Sequence, residues 1–126
     1  MSKTIISTGA APEAIGPYSQ AISANGFVFC SGQVPFEPST MELVSGSITE
    51  ETKRCVQNLE AVLQEAGSDL SKVVKTTIYV TNMDDFAEVN EAYASFFTSE
   101  PPARATVGVA ALPKGARVEI ECIATI

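Results

Sequence analysis

Five short stretches of the chain contain apolar residues in patterns that predict β-strands. In 73–80, Val74, Ile78 and Val80 fall on one face and more polar side chains on the other, which predicts a half-buried strand. Asn25-Gly26 suits the two-residue turn of a hairpin between the first two stretches. The five predicted strands cover residues 18–24, 27–31, 73–80, 104–110 and 117–126.

Two further stretches repeat apolar residues at helical spacing. Ser47, followed by Glu50, forms a capping box for the first predicted helix, and Gly67 ends it. Asn82 begins the second, which Pro101-Pro102 stops. The inward face of the second predicted helix contains Phe86, Val89, Tyr93, Phe96 and Phe97. The order of elements predicts an α+β fold, with one sheet and both helices on one of its faces.

Composition narrows the class of protein. A length of 126 residues predicts a single domain, 1–126. Only 18% of the residues are charged, against about 25% in an average soluble domain, so we expect a partner to bury part of the surface. The net charge of −7 repels phosphate backbones, which argues against a nucleic-acid partner.

The chain has no histidine and three cysteines. The usual Cys/His zinc sites and the His-activated nucleophiles are therefore excluded, and acid/base chemistry must use Glu, Asp, Tyr or Lys. The cysteines are expected to be small buried hydrophobic residues. We find no membrane-spanning or secretory stretch, and we expect a cytoplasmic protein with reduced thiols, without excluding a mitochondrial pool.

Alternation in the last two predicted strands places charged residues on the face without helices. Val107 and Val109 are expected to face the helices, so alternation places Arg104 and Thr106 on the other face, together with Glu119 and Glu121. The full set expected on this open face is Arg104, Thr106, Gly108, Arg117, Glu119, Glu121 and Ile123.

Two interpretations fit this set of charges. Arg104 could form a cross-strand ion pair with Glu121 worth roughly 0.2 to 1 kcal/mol. Alternatively, the guanidinium binds a carboxylate ligand through two parallel hydrogen bonds, and a neighbouring glutamate handles a proton or a water. Residue spacing does not choose between an ion pair and an anion site.

Other candidate residues also have a structural interpretation beside a functional one. Tyr18, after Gly16-Pro17, is either a site hydroxyl or a ring packed at the rim. Ser31-Gly32 either offers a backbone amide to an oxyanion or forms a bulge. Asn90 lies in the middle of a predicted helix, where an amide usually faces solvent or bonds the backbone.

Several segments of the chain resemble the signature of the RidA/YjgF/YER057c/UK114 family. The signature residues are Pro102-Ala103-Arg104-Ala105-Thr106-Val107, Leu112 and Val118-Glu119-Ile120. Segments 14–21, 31–33, 74–77 and 85–90 also resemble family segments, and the resemblance extends from about residue 3 to residue 125.

The resemblance implies a chorismate-mutase-like α+β protomer and a homotrimer whose sheets face inward, with ligand clefts between neighbouring subunits. It further implies hydrolysis of 2-iminobutanoate, 2-iminopropanoate and related enamine/imine products of pyridoxal-phosphate-dependent dehydratases to 2-keto acids and ammonia, without a metal or an organic cofactor. Alternatives are a non-enzymatic module that binds small carboxylates, and a chaperone or RNA-acting protein of the translation-inhibitor kind.

The resemblance also assigns roles to individual residues. Arg104 would clamp the substrate carboxylate, and Glu119 would hold or activate the attacking water. Tyr18 would close the cleft from a neighbouring subunit. The supporting residues would be Ser31 and Gly32, which shape the cleft, Asn90, which supports it from the second helix, and Thr106, which replaces a cysteine common in bacterial members and offers a backbone amide but no thiol.

Overall fold

The computed structural model describes residues 2–126, in which two helices pack on one face of a six-stranded sheet. The strands are β1 (Thr4–Ile6), β2 (Ala21–Ala24), β3 (Phe27–Gln33), β4 (Val73–Val80), β5 (Ala103–Gly108) and β6 (Val118–Thr125), and the helices are α1 (Ile48–Glu65) and α2 (Phe86–Ala94). Their order in the sheet is β1-β2-β3-β6-β4-β5, and only β4 and β5 pair in parallel. The predicted α+β fold is confirmed.

Local signals in the sequence place most elements correctly. Asn25 and Gly26 have φ of 53° and 79° and form the turn between β2 and β3. Ser47 caps α1 by accepting a hydrogen bond of 3.2 Å from the Glu50 amide. The predicted strand at 18–24 begins only at Ala21, because a tight turn precedes it.

Two features differ from the predicted elements. β1 was not predicted, because three residues are too short to show alternation. The second helix is shorter than expected: Asn82 caps a single 3-10 turn, and α2 ends at Ala94. Phe96 and Phe97 follow the helix and still pack, partly buried, against the core.

The inward face of β6 is as predicted. Val118, Ile120, Cys122 and Ala124 are buried under the helices, and the residues between them are more accessible. Arg117 differs from expectation, because it precedes β6 and forms an ion pair with the buried Glu51 of α1. It therefore does not lie on the open face.

The faces of β5 are the reverse of those predicted. The parallel register places Arg104 beside Thr76 and Thr106 beside Ile78, and both partners are buried on the helix side. Val107 consequently lies on the open face and is 42% exposed. The expectation that Arg104 and Thr106 share a face with Glu119 is wrong.

The physical reason lies at the edge of the sheet. β5 pairs only with β4, which separates it from β6, so the cross-strand pair of Arg104 with Glu121 cannot form. On the helix side, the side chains of α2 contact the guanidinium of Arg104.

β4 differs from expectation at its first residues. Val74 is exposed, because a bulge between Val73 and Lys75 turns Val73 inward instead.

The three cysteines lie in the core, as expected. Cys30, Cys55 and Cys122 are free and buried. Over residues 2–126, no helix combines the length and apolar character that crossing a membrane requires.

Candidate functional site

A bulge between β3 and β6 creates the first part of the site. Cys30 pairs with Cys122 and Gln33 with Ile120, so Ser31 and Gly32 together oppose one residue of β6. The predicted bulge is confirmed. It brings the backbone of Gly32 against the carboxylate of Glu119: a methyl group at Gly32 would lie 2.9 Å from the Glu119 Cδ. A larger residue at this position would require the Glu119 carboxylate to move away.

Glu119 opens into a cavity of about 490 Å³. Its wall, largely apolar, contains Pro12, Glu13, Ile15, Tyr18, Gln20, Ser31, Gly32, Gln33, Val34, Phe36, Met41, Pro113, Lys114 and Glu119. The Tyr18 hydroxyl accepts a hydrogen bond of 3.3 Å from the Ile15 amide, and the Ser31 hydroxyl donates one of 2.6 Å to the Ser19 carbonyl. We call Tyr18, Ser31, Gly32 and Glu119 the carboxylate half-site.

The electrostatic environment of Glu119 favours its protonated form. Burial raises the pKa of the Glu119 carboxyl above its usual 4.5, and the negative charge of Glu121 raises it further. Glu121 itself accepts a hydrogen bond of 3.1 Å from the Tyr79 hydroxyl on β4. A carboxyl with a raised pKa gives up and takes back a proton more readily near neutral pH, which suits a general acid/base.

A second group of polar and aromatic residues surrounds Arg104. Its Nη1 donates a hydrogen bond of 2.7 Å to the Asn90 Oδ1 on α2. Its Cζ lies 5.2 Å from the ring centroid of Tyr93 and 5.8 Å from that of Phe86. We call Phe86, Asn90, Tyr93 and Arg104 the guanidinium half-site.

Three hydroxyl groups lie on the same side of the sheet as this guanidinium. The Tyr93 and Thr76 hydroxyls share a buried hydrogen bond of 2.7 Å, which fixes the ring under Arg104. The Thr106 Oγ1 is buried and has no hydrogen-bond partner within residues 2–126. Thr106 thus faces the same side of β5 as Arg104 with an unsatisfied hydroxyl.

The two half-sites do not meet within one chain. Arg104 faces the helix side of the sheet, whereas Glu119 faces the open side. Tyr18 lines the same cavity as Glu119, so a neighbouring chain is not needed to bring these two together. Arg104 of the same chain, in contrast, does not line the Glu119 cavity.

Sequence reasoning missed three residues around these half-sites. Phe86 and Tyr93 were expected only as core residues, and Lys114 was not identified as a candidate. Phe86, Asn90 and Tyr93 are spaced at i, i+4 and i+7 and therefore lie on one face of α2. This spacing is a sequence signal that could have identified the residues around Arg104, which we call the guanidinium cradle. In residues 2–126, no three His, Cys, Asp or Glu side chains cluster in a way that could hold a metal ion.

Comparisons with known proteins agree with the resemblance. The profile of the family described as Endoribonuclease L-PSP matches residues 8–126. The chain is 50% identical over 122 residues to the mouse 2-iminobutanoate/2-iminopropanoate deaminase, with 97% of this chain and 90% of the mouse protein covered. It is 48% identical over 124 residues to a RutC family protein of Pyrococcus abyssi, with 98% of each chain covered.

Solved structures match along nearly the whole chain. The Escherichia coli TdcF structure with bound serine superposes with a TM-score of 0.93 at 38% identity, over 98% of each chain. A putative endoribonuclease of Thermotoga maritima superposes with a TM-score of 0.95 at 47% identity, over 98% of this chain and 97% of the other. The chain therefore belongs to the Endoribonuclease L-PSP family, the same family as RidA/YjgF/YER057c/UK114.

Proposed function

We propose that this protein hydrolyses 2-imino acids, such as 2-iminobutanoate and 2-iminopropanoate, to 2-keto acids and ammonia. The observation that carries the proposal is the Glu119 carboxylate, held against Gly32 at the wall of a largely apolar cavity with a raised pKa. The mouse relative, 50% identical, is named for this activity.

In the proposal, three copies form a closed ring in which Arg104 of one copy faces the carboxylate half-site of the next. Two observations support this arrangement. One chain contains both half-sites but leaves them apart, and the open sheet face exposes 40% of Phe27, 46% of Phe29 and 42% of Val107 to water. A symmetric ring would bury this apolar face and create three equivalent sites.

The substrate would be held at both ends. Its carboxylate would accept two parallel hydrogen bonds from the Arg104 guanidinium, which Asn90 and the two rings hold in place. Its alkyl side chain would lie against the apolar wall of the cavity. The electrophilic carbon would then face Glu119 and a water molecule.

Glu119 would move protons in both chemical steps. In the first, its carboxylate takes a proton from water while the water oxygen bonds to C2 of the protonated imine, which gives a carbinolamine. In the second, Glu119 returns that proton to the amino nitrogen, the C–N bond breaks, and the hydroxyl group loses its proton to form the ketone. Ammonia leaves and, with the released proton, becomes ammonium.

These steps need only positioning and proton transfer. Reactive imines already hydrolyse in water, and a general acid/base contributes roughly 10² to 10⁴ in rate. No cofactor enters the proposed reaction. The partner reaction would be a pyridoxal-phosphate-dependent dehydratase that releases the enamine/imine, in a cytoplasm that keeps the three free thiols reduced.

The test generates 2-iminobutanoate from threonine with such a dehydratase and follows the loss of the imine. We expect Arg104→Ala and Glu119→Gln each to lower the rate by at least roughly 10². Glu65→Gln, a change of an exposed carboxylate at the end of α1, is the matched control and should leave the rate unchanged. Wild-type rates for Arg104→Ala or Glu119→Gln would refute the proposal.

Two rival functions give different results in the same experiments. A module that only binds small carboxylates would need Arg104 but would show no turnover that depends on Glu119. RNA cleavage, which the family description suggests, would have to act against a net charge of −7. Nuclease activity that persists in Arg104→Ala and through repeated purification would favour the RNA-acting protein.

A further inference from the structure

Lys114 has a backbone conformation that its side chain disfavours. It lies in the loop between β5 and β6 with φ of 58° and ψ of 22°, in the left-handed region. A side chain with a Cβ atom adopts this region at a cost in free energy that glycine avoids. Non-glycine residues kept in such a conformation concentrate at functional sites, so the lysine side chain itself calls for an explanation.

The position of Lys114 in the cavity wall indicates a role for its side chain. Lys114 lines the same cavity as Tyr18 and Glu119. The other charged residues of that wall, Glu13 and Glu119, are both carboxylates, so within residues 2–126 Lys114 is the single cation lining it. Turn geometry alone explains neither this placement nor the choice of a positive charge.

The ammonium group of Lys114 is also free to bind a ligand. Across residues 2–126, the ion pairs are Arg54 with Glu37 and Arg117 with Glu51, and neither includes Lys114. The single cation lining this cavity, on a chain of net charge −7, would attract small anions to a surface that otherwise repels them.

We propose that Lys114 is a substrate-binding residue that draws the anionic 2-imino acid into the cavity and contacts its carboxylate on entry. The inference rests on the proposed function, and it adds a second cation, supplied by the same chain as Glu119, to the Arg104 of the neighbouring copy. Because the contact precedes the chemical steps, it acts on kcat/KM far more than on kcat.

The experiment compares Lys114→Gln with Lys53→Gln, which changes the net charge equally at an exposed position of α1. At low ionic strength, Lys114→Gln is expected to lower kcat/KM by about three- to tenfold, with kcat changed less than about twofold. The difference shrinks as salt screens the charge. Lys53→Gln stays at the wild-type value, and Lys114→Arg retains most of the activity.

Lys114→Gly separates a binding role from a structural one. This substitution removes the charge and relieves the backbone strain, because glycine adopts a positive φ without steric cost. The melting temperature of the variant should therefore equal or exceed that of the wild type, while kcat/KM falls as in Lys114→Gln. A lower melting temperature with unchanged kcat/KM would mean that the lysine serves the turn alone, which overturns the inference.

A binding measurement separates failure of this inference from failure of the proposed function. We expect the product 2-oxobutanoate, titrated calorimetrically, to bind Lys114→Gln about three- to tenfold more weakly than wild type at low salt. Binding of 2-oxobutanoate that depends on Lys114, without any imine hydrolysis, would refute the proposed function and support only the carboxylate contact of Lys114. Hydrolysis with equal kcat/KM in Lys114→Gln and wild type at low salt would overturn this inference alone, and the absence of both binding and hydrolysis would overturn both.

Discussion

The two half-sites occupy opposite faces of one sheet and are held by different means. The carboxylate half-site depends on the backbone: a bulge in β3 brings Gly32 against Glu119, and adjacent strands fix the separation. The guanidinium half-site depends on side chains: Asn90 and two aromatic rings of α2 hold Arg104, which projects from the edge strand β5.

This difference indicates how each half-site should respond to mutation. A backbone contact leaves no room for an added atom, so a single methyl group at Gly32 would displace the Glu119 carboxylate. In the guanidinium cradle, three side chains contact Arg104, and each contact contributes separately to its position. Removing one of them should therefore weaken the binding of the guanidinium only in part. We therefore expect abrupt losses of kcat on the Glu119 side and graded increases in KM on the Arg104 side.

The largest of these effects is expected for Gly32→Ala. The new methyl group would overlap the end of the Glu119 side chain, which can swing away, so the fold survives while the carboxylate moves. A displacement of about 1 Å from the reacting atoms costs on the order of 10²-fold in kcat.

Gly9→Ala is the matched control, because a methyl group there meets nothing within 4 Å. Imine hydrolysis and thermal unfolding should be measured for both variants. If Gly32→Ala retained full activity, the contact between Gly32 and Glu119 would have no catalytic significance.

A smaller effect is expected in the guanidinium cradle. Asn90→Ala removes the amide that accepts the 2.7 Å hydrogen bond from Arg104, and we expect KM to rise by about tenfold with kcat nearly unchanged. Phe86→Leu removes one ring and should raise KM by about two- to fivefold.

Glu91→Ala, on the exposed side of α2, is the control for both variants. Steady-state kinetics separate the two constants. A fall in kcat with constant KM would show that Asn90 acts on the chemical step rather than on the hold over Arg104.

The smallest predicted effect concerns pH. In the proposed mechanism Glu119 acts as a carboxylate, so activity is expected to fall as pH drops through its raised pKa, above the usual 4.5. Glu121→Gln removes a neighbouring negative charge and lowers the pKa of Glu119, so the acid limb of kcat/KM should move to lower pH. The control variant Glu65→Gln should leave the acid limb of the kcat/KM profile at its wild-type pH. An acid limb that moves to higher pH in Glu121→Gln would contradict this electrostatic explanation.

The same raised pKa has a consequence for stability. The folded protein binds the Glu119 proton more tightly than the unfolded chain does. Stability from this group is therefore present at low pH and is lost as pH rises from about 4.5 through the folded pKa.

The sequence could predict elements whose signals are local. The Asn25-Gly26 turn, the Ser47 cap and the alternation of β6 each depend on neighbouring residues, and the structure has all three. The bulge at Ser31-Gly32 also follows from a local glycine signal. These elements position Glu119, so that side of the site was largely accessible to sequence reasoning.

The face of β5 could not be predicted in the same way. Val107 suggests a buried face, but β5 is an edge strand whose orientation is set by its parallel register with β4 and by the aromatic residues of α2. Such contacts join residues far apart in the chain. The position of Arg104 therefore depends on tertiary packing, which overrides the local pattern.

The most direct test of the central claim, that each site takes Arg104 and Glu119 from different copies, mixes two inactive variants. Arg104→Ala and Glu119→Gln chains would be co-expressed with different affinity tags and purified through both. In a ring of three, every mixed assembly contains one site with both native groups, so we predict about one third of the wild-type activity. Mixed assemblies as inactive as their parents, or full activity in a wild-type monomer, would contradict a site shared between copies.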